Sequence, residues 1–482
     1  MKETENLFCS KVIDFFADIN KIPRGSGNEK AVSDFLADFA KTRGLEVIQD
    51  ESLNILIRKP AYPGFEDKPP VIIQGHMDMV CEKNADKEHN FLTDPIDLIF
   101  DGDYITADRT TLGADDGVAV AMAMAVLDSD DLPHPPVEVL ITTDEEVGMG
   151  GARVFDTSLL RGRVLLNIDS EVEGVFTAGC AGGARATVNL PVSLKKPDGN
   201  KAYKLIITGL KGGHSGVDIN KERANANKLL ARALKHVKAR VSAEACEIFG
   251  GSKDNAIPRE AHAVVTVSDS SALEKAVYIL NNELSSEYSA TDSRVKVVLE
   301  ETALPDKVFD EESLDRVIGA LLLIPCGIIN MSGSIPGLPE TSNNIGSVKT
   351  EGEKVIIVCA LRSAVETRKD FVKSVIDSAA KLAGGYAEFK GDYPAWEFKD
   401  ESVIRPLIAE TYEKLYGKKA VVDIIHAGLE CGLLGGKLPE LDMISFGPNI
   451  LDIHSPDERL SISSTDRTYK LLTKVLKRLA EE

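Results

Sequence analysis

The sequence lacks the features of a secreted or membrane-bound protein. No run of apolar residues approaches the roughly 18 that a membrane helix needs, and the first thirty residues carry charges where a signal peptide has an apolar core. The seven cysteines are scattered and form no C-x-x-C pair, which argues against a disulfide framework and against a thiolate metal site. We therefore expect a cytoplasmic protein with reduced thiols.

Acidic residues outnumber basic ones in this chain. Lys and Arg together number 56 against 76 Asp and Glu, which gives a net charge of −20. A charge of that sign argues against a nucleic-acid partner and against an anionic membrane surface. With 482 residues, 43% of them hydrophobic, the chain can bury a large core, and its length favours two or more domains over one.

A short apolar run, Val71 to Gln74, predicts a strand buried on both faces of a parallel sheet, and we expect Gly75 to end it. Beyond it, His76 and Asp78 alternate with methionines, so in an extended backbone the imidazole and the carboxylate leave on the same side. Functional groups of open α/β sheets collect at the carboxyl ends of strands, where this pair falls. The pair fits a metal ligand and the carboxylate that orients it. The alternative is that both residues have a structural role.

Two adjacent carboxylates precede a stretch of small apolar residues. Asp115 and Asp116 come just before the run from Val118 to Leu127, which predicts a buried helix. At that position a single Asp would serve as an N-cap, because the first backbone N–H groups of a helix need acceptors. Two carboxylates exceed what capping requires.

Acidic residues also follow two further predicted strands. The run Asp144 to Glu146 comes after a strand at 137–141, and Asp169 comes after a strand at 164–168. Three adjacent carboxylates repel one another unless a cation or a shared proton compensates them, so the run belongs either to a solvated loop or to a cation site. Taken with the pair around His76 and with Asp115, they favour the cation site. Carboxylates with imidazole and no thiolate suit Zn²⁺, with Mn²⁺ or Co²⁺ as substitutes.

The pattern changes near residue 187. From there to about 390, strands and helices follow one another as in one or two α+β units, each with a sheet covered by helices. From Ser402 the earlier pattern resumes, and a second histidine near a strand end, His454, lies in a Gly/Pro loop after a strand predicted at 441–445. We therefore predict a discontinuous domain, 1–186 and 391–482, with a second domain inserted at 187–390.

In order and approximate spacing, five motifs resemble those of the M20 family of zinc peptidases, and within it the aminoacyl-histidine dipeptidase (carnosinase-like) group. The resemblance spans essentially the whole chain. It also covers Gly250-Gly251 and Asn255 to Pro258, which are similar to the signature of the family's lid domain. The five motifs are His76-Met-Asp78, Gly113 to Gly117, Asp144 to Gly148, Asn167 to Glu171, and His454.

The resemblance implies an α/β zinc-peptidase fold, a catalytic domain with a mixed sheet flanked by helices and an inserted α+β lid domain. It implies two Zn²⁺ ions per subunit, bridged by Asp115. His76 and Asp169 would complete the protein ligands of one ion, and Glu146 and His454 those of the other. The peptide bond between the two Asp residues is typically cis in this family.

Catalytic roles follow from the same resemblance. Glu145 would be the general base toward a zinc-activated water, and Asp78 would orient His76. His214 resembles the lid histidine that stabilises the oxyanion, although a histidine in a glycine-flanked turn is the structural alternative. The remaining candidates concern the substrate: Arg362 and Asn344 for its carboxylate, and Gly428 with Glu430 for the shape of the pocket.

The implied function is the metal-dependent hydrolysis of dipeptides, with Xaa-His peptides such as β-alanyl-histidine as substrates. An N-acyl-amino-acid deacylase, or a carboxypeptidase or tripeptidase on the same scaffold, is the second enzyme reading. A non-catalytic zinc-binding protein is the rival from another class, and it would require the general base or a ligand to be replaced. The insert is about twice the size of the family's simpler lids, which leaves open whether the protein is a homodimer and whether His214 acts within its own subunit.

Overall fold

A computed structural model describes residues 7–333 and 335–482. The chain separates into two compact units. The first comprises the chain up to Cys180 together with Phe398–Ile425 and Leu429–Glu482, and the second comprises Ala181–Glu397 and His426–Gly428. The insertion predicted at 187–390 falls within the second unit. Among the described residues, none of the helices combines the length and the hydropathy of a membrane span.

An eight-stranded mixed sheet forms the centre of the first unit. Its strand Val71–His76 is buried along its whole length and pairs in parallel with a neighbour on either side, as its apolar sequence predicts. Parallel pairing places the carboxyl ends of these strands at one edge of the sheet. In spatial order the strands are Glu46–Gln49, Ile55–Lys59, Val137–Thr142, Val71–His76, Val164–Asn167, Asp442–Ser445, Val175–Cys180 and Val421–Ile425.

The helices of the first unit show the patterns that their positions require. Ser10–Ile19 buries Val12, Ile13, Phe16 and Ile19 on one face, whereas Ala114–Asp128 is apolar all round and buried along nearly its whole length. The longer helices pack into one apolar core. The remaining helices are Lys30–Thr42, Gly150–Val154, the 3₁₀ turn Thr157–Leu159, Ile404–Tyr416, Glu430–Lys437 and Ile462–Glu481.

A smaller four-stranded antiparallel sheet in the first unit is not apparent from the sequence pattern. Its strands are short, and only their pairing identifies them. The loop between two of them contains His454, so this sheet fixes both ends of the segment that presents the late histidine. Its strands, in spatial order, are Ile450–Leu451, Arg459–Ser461, Tyr104–Ala107 and Leu98–Asp101.

The second unit is built on a nine-stranded antiparallel sheet with its own apolar core. Its main path follows the spatial order Lys296–Thr302, Lys201–Thr208, Ala261–Val267, Ala243–Gly250, Pro339–Glu351, Lys354–Ser363, Gly182–Pro191 and Tyr386–Tyr393, and Gly327–Met331 pairs with Pro339–Glu351 off this path. Its helices are Ile219–Lys221 (3₁₀), Ala226–Lys238, Ser270–Glu287, Glu311–Leu323 and Glu366–Leu382.

Two pairs of two-residue strands complete the second unit. Leu194–Lys195 pairs with Val308–Phe309, and Gly213–His214 pairs with Ala256–Ile257. The second pair joins the two lid motifs that the sequence singles out, because His214 lies opposite Ala256.

Candidate metal centre

His76 is the last residue of the central strand, which corrects the expectation that Gly75 ends it. The strand continues because Gly75 and His76 pair with Ile141 and Thr142 of the neighbouring strand. Gly75 is needed for another reason. A Cβ there would lie 2.4 Å from Oδ2 of Asp116 and 2.8 Å from a methyl carbon of the helix that follows it, so glycine lets that helix approach the strand.

The carboxylate of Asp115 lies between two imidazoles. Its Oδ1 is 3.2 Å from Nε2 of His76, and its Oδ2 is 3.1 Å from Nε2 of His454, a residue 339 positions further along the chain. A carboxylate with each oxygen facing a different imidazole has the geometry of a bridging ligand. The sequence-based expectation that Asp115 and His454 converge is therefore met in the structure.

The other predicted ligands lie around these imidazoles. Nε2 of His76 is 3.7 Å from Oδ1 of Asp169, and Nε2 of His454 is 3.0 Å from Oε1 of Glu146. Potential ligand atoms within 4.8 Å of one another form three groups among the described residues. These are Asp115 with Glu146 and His454, His76 with Asp116 and Asp169, and His76 with Glu145 and Glu146.

The second group contains Asp116 where the family resemblance implies Asp115. Asp116 differs from Asp115 in that its Oδ2 already accepts a hydrogen bond from the backbone N–H of His76 at 3.2 Å. The peptide bond between Asp115 and Asp116 is cis. The choice of Asp115 as the ligand shared by both ions stays a prediction.

Asp78 connects the first histidine to the acidic loop. Its Oδ1 lies 3.4 Å from Nδ1 of His76 and accepts the backbone N–H of Glu145 at 3.0 Å. Its Oδ2 accepts the N–H of Glu146 at 3.2 Å and the hydroxyl of Ser26 at 2.8 Å. Nδ1 of His76 also lies 3.2 Å from the backbone carbonyl oxygen of Asp78, so Asp78 orients the imidazole through both its carbonyl and its carboxylate. The same carboxylate holds the backbone of the loop that carries the two glutamates.

Sequence reasoning missed the group that caps the helix behind Asp115. The carboxylate of Glu458 accepts hydrogen bonds from four successive N–H groups, those of residues 112–115, at 2.8 to 3.3 Å. The N-cap residue itself is Gly113, with φ of 68°. Because Glu458 satisfies these donors, Asp115 and Asp116 are not required as caps. Its distance in sequence, more than 340 residues, explains why no local pattern indicates it.

Arg24 is the second missed residue. It is fully buried, and its guanidinium donates to the carbonyls of Met77 at 2.9 Å and Gly113 at 2.6 Å. Burial lowers the pKa of Arg24, while the charges of Glu458 and Asp78 oppose that shift. Arg24 therefore joins the segment after the central strand to the start of the helix that carries Asp115.

Burial dominates the electrostatics of two carboxylates at this site. It raises the pKa of Glu145 to about 8, although the charge of His76 opposes the shift. Burial and the neighbouring charge of Asp116 raise the pKa of Asp169 well above its ordinary value. The charged groups of the protein supply too little positive charge to offset the burial of these two carboxylates.

The two imidazoles respond in the opposite direction. Hydrogen bonds to Asp115 and Glu146 raise the pKa of His454 to about 10. Burial lowers the pKa of His76, but its hydrogen bonds to Asp115 and Asp78 outweigh burial and raise it overall. Burial would raise the pKa of Asp115, yet the hydrogen bonds from both imidazoles hold it low.

The donor atoms fit a pair of divalent cations. Ligands about 2.0 to 2.2 Å from one tetrahedral ion lie about 3.3 Å from one another. The separations of 3.0 to 3.2 Å among Asp115, Glu146 and the two imidazoles are close to that value. Imidazole and carboxylate are the donors that borderline divalent ions such as zinc accept.

Apart from Glu430, the remaining predicted residues lie in the second unit. His214 accepts two backbone N–H groups at its Nδ1, both at 3.2 Å, so in the neutral ring its Nε2 carries the proton. Burial and the charge of Arg362 lower the pKa of His214, which favours that neutral form. Arg362 donates to the hydroxyl of Tyr393 at 3.3 Å, and Gly428 packs against the same ring.

Asn344 already has hydrogen-bond partners for its whole amide. It is buried, donates to the carbonyls of Asp254 and Ala256 at 2.9 and 2.8 Å, and accepts from Asn225 at 3.0 Å. Through these hydrogen bonds Asn344 holds the segment that contains Ala256, the residue that pairs with His214. Its predicted contact with a substrate carboxylate stays a prediction.

His426 was given no role from the sequence. Its Nε2 lies 2.7 Å from the hydroxyl of Ser342, its Nδ1 has no hydrogen-bond partner among the described residues, and it is buried beside the charge of Arg362. Burial first, and that charge second, lower the pKa of His426 to about 4. No sequence signal distinguishes it from an ordinary loop histidine.

Comparison with known proteins bears directly on this site. Residues 72–481, which include every member of the three ligand groups, match the model of peptidase family M20/M25/M40. The chain belongs to this family. The resemblance inferred from the five motifs is confirmed, and so is the expected fold class.

Two proteins of about 40% identity match along nearly the whole chain. The cytosol non-specific dipeptidase of Escherichia coli (strain K12) is 40% identical over 482 residues, which cover 99% of each chain. The crystal structure of aminoacylhistidine dipeptidase from Vibrio alginolyticus matches with a TM-score of 0.92 and 39% identity, over 99% of both chains. Aminopeptidase PepT from Bacillus cereus, at 16% identity and a TM-score of 0.57, shares the fold alone.

Proposed function

We propose that this chain is a metal-dependent dipeptidase that hydrolyses unblocked dipeptides, including Xaa-His peptides such as β-alanyl-histidine. The proposal rests on the position of Asp115 between the imidazoles of His76 and His454. Glu146, from the loop after the strand Val137–Thr142, lies beside them. The names of the two full-length relatives, a non-specific dipeptidase and an aminoacylhistidine dipeptidase, support the substrate class. The first name also supports a cytosolic location.

In the proposed site, Asp115 would be a ligand common to two Zn²⁺ ions. His76 and Asp169 would hold one ion, Glu146 and His454 would hold the other, and Co²⁺ or Mn²⁺ would be substitutes. When bound, such ions supply Lewis acidity toward a carbonyl oxygen and lower the pKa of water. The separations between the donor atoms support this ligand set.

Glu145 handles the proton in this proposal. It is adjacent to the ligand Glu146, and Asp78 fixes its backbone through a 3.0 Å hydrogen bond. Its carboxylate accepts a proton from the attacking water and delivers it to the nitrogen of the leaving amine, so that one residue acts first as base and then as acid.

His214 and Arg362 serve the substrate in this proposal. Because Nδ1 of His214 accepts two backbone hydrogen bonds, its Nε2–H is the free donor, and it stabilises the oxyanion that forms at the scissile carbonyl. Arg362 offers a guanidinium fork to the carboxylate of the C-terminal residue, near Gly428 and Asn344. The inserted region at 187–390 is the lid domain.

The test is the activity of metal-stripped protein, restored ion by ion, against three matched substrates. Ala-His, an N-acetylated amino acid and a tripeptide separate the dipeptidase from a deacylase and from a carboxypeptidase or tripeptidase. We expect two equivalents of Zn²⁺ to restore turnover and Ala-His to be preferred. Preference for either of the other substrates, or turnover by the stripped protein, would overturn the proposal.

A further inference from the structure

Glu430 has a buried carboxylate that belongs to none of the three ligand groups. It lies close to the carboxyl ends of the strands that carry those groups. Glu430 is the first residue of the helix Glu430–Lys437 and has no exposed surface. Its expected part in shaping the pocket stays a prediction. Its Oε2 accepts hydrogen bonds from Nε2 of Gln74 and from the hydroxyl of Thr142, both at 2.6 Å.

These contacts join the three strands that carry the catalytic groups. Gln74 lies two residues before His76, and its Oε1 accepts a 2.7 Å hydrogen bond from the amide of Asn167, which lies two residues before Asp169. Thr142 lies three residues before Glu145. The Glu430 network, which consists of Glu430, Gln74, Thr142 and Asn167, therefore crosses the sheet just behind the predicted ligands and the predicted base.

A neutral side chain could make the hydrogen bonds that tie these strands together, but this network contains a carboxylate. The second oxygen of Glu430, Oε1, is buried and has no hydrogen-bond partner among the described residues. A buried charge without a partner is costly unless positive charge lies close by. Burial raises the pKa of Glu430 to about 7, and the negative charge of Asp78 adds to that rise, whereas the charge of His76 opposes it. Positive charge at the adjacent cation site therefore favours the ionised form of Glu430.

We propose that Glu430 is a positioning residue of the hydrolytic site: with Gln74, Thr142 and Asn167 it sets the spacing of the strand ends, and its charge strengthens cation binding by the adjacent ligands. This inference rests on the proposed function, because it requires that the site binds divalent cations. It assigns no contact between Glu430 and the ions or the substrate. Carboxylates that support metal ligands in this way typically change metal affinity 10- to 100-fold when they are replaced.

The closing experiment compares Glu430→Gln with Glu138→Gln. Glu138 is a matched control because it is equally buried, belongs to the same strand as Thr142 at its opposite end, and binds Arg58 at 3.0 Å with two backbone N–H groups. For each full-length protein we would measure Zn²⁺ affinity by chelator competition without substrate, kcat and KM for Ala-His at saturating metal, and the Tm of the metal-free form.

We expect Glu430→Gln to weaken Zn²⁺ binding by about tenfold or more and to lower kcat with KM within twofold of wild type. Glu138→Gln should lower only the metal-free Tm, because it breaks a buried ion pair far from the ligands. The double variant Gln74→Glu with Glu430→Gln, which reverses the pair, should recover a part of the lost affinity.

Unchanged Zn²⁺ affinity and kcat in Glu430→Gln would overturn the inference while wild-type metal binding and turnover left the proposed function standing. A lowered metal-free Tm with wild-type affinity would also overturn it, because it would reduce Glu430 to a structural role. Wild-type protein that bound no divalent cation would overturn both.

Discussion

The carboxylate of Asp78 accepts a hydrogen bond from the backbone N–H of Glu145 at 3.0 Å. The residue that orients His76 therefore also fixes the position of the predicted base. Replacing Asp78 with Asn puts an amide N–H₂ where an acceptor is needed, so at least one of its contacts is lost. We expect metal affinity and kcat both to fall by about 10- to 100-fold, measured by chelator competition and by dipeptide turnover.

Ser26→Ala is the graded control for Asp78. It removes one hydrogen bond, at 2.8 Å, from the same carboxylate and leaves the contacts to the loop intact. Its effect on both measurements should be small. Equal losses in the two variants would contradict the role given to Asp78.

Glu145→Gln and Glu146→Gln should separate catalysis from metal binding at adjacent positions. The first variant keeps the shape of the side chain but cannot accept a proton, so kcat should fall by about 10²- to 10⁴-fold with metal content unchanged. The second removes the carboxylate oxygen 3.0 Å from Nε2 of His454, so it should lose metal and activity together. Metal content by mass spectrometry and turnover by amine release would test the contrast, and residual wild-type turnover in Glu145→Gln would contradict its role as base.

His214→Gln should lower kcat by about 10²- to 10³-fold while leaving the metal content unchanged, because it removes the Nε2–H donor to the oxyanion. The matched control is His262→Gln in the same unit, whose ring contacts Glu247 at 3.0 Å on the surface and should tolerate the change. Steady-state kinetics with Ala-His distinguish the two. Equal kcat values in both variants would remove His214 from the reaction.

The pH dependence of stability should change when His426 is replaced. Its pKa is about 4 in the folded chain because of burial and the charge of Arg362, whereas an unfolded histidine titrates near 6.5. Between these values the unfolded state binds more protons, so the free energy of unfolding falls as the pH drops from about 6.5 toward 4, by roughly 3 kcal/mol at most. His426→Gln lacks this contribution, and its stability should depend less on pH.

Thermal denaturation of both proteins at pH 7.5 and pH 5 would measure that difference. We expect the Tm of the wild type to fall more than that of His426→Gln over this interval. Parallel shifts in Tm would indicate that His426 titrates normally in the folded protein.

The parts of the site that the sequence predicted are those marked by local pattern. Short apolar runs indicate buried strands. His76, Asp115 and Asp169 each lie within a few residues of such a strand or of a helix start. The predicted strand at 71–74 is therefore recovered as Val71–His76. Its end was misjudged because Gly75 reflects the close approach of a helix rather than a break in pairing.

The residues that support the site could not be predicted in this way. Glu458 and Arg24 act through contacts with distant parts of the chain, and their neighbours in sequence give no period or motif that indicates a partner. The short strands that flank His454 are recognisable only by their pairing. The side chains that hold the acidic residues in place act through long-range contacts of the tertiary fold. Local patterns in a single sequence do not show such contacts.

The central sheet of the first unit places Asp442–Ser445 between Val164–Asn167 and Val175–Cys180, and His454 follows a few residues later. The ribosome must therefore synthesise both Asp442–Ser445 and His454 before the sheet is complete and the last imidazole becomes available. Nascent or prematurely terminated chains lack one side of the cation-binding pocket. The order of elements along the polypeptide thus delays hydrolytic competence until His454 has been synthesised.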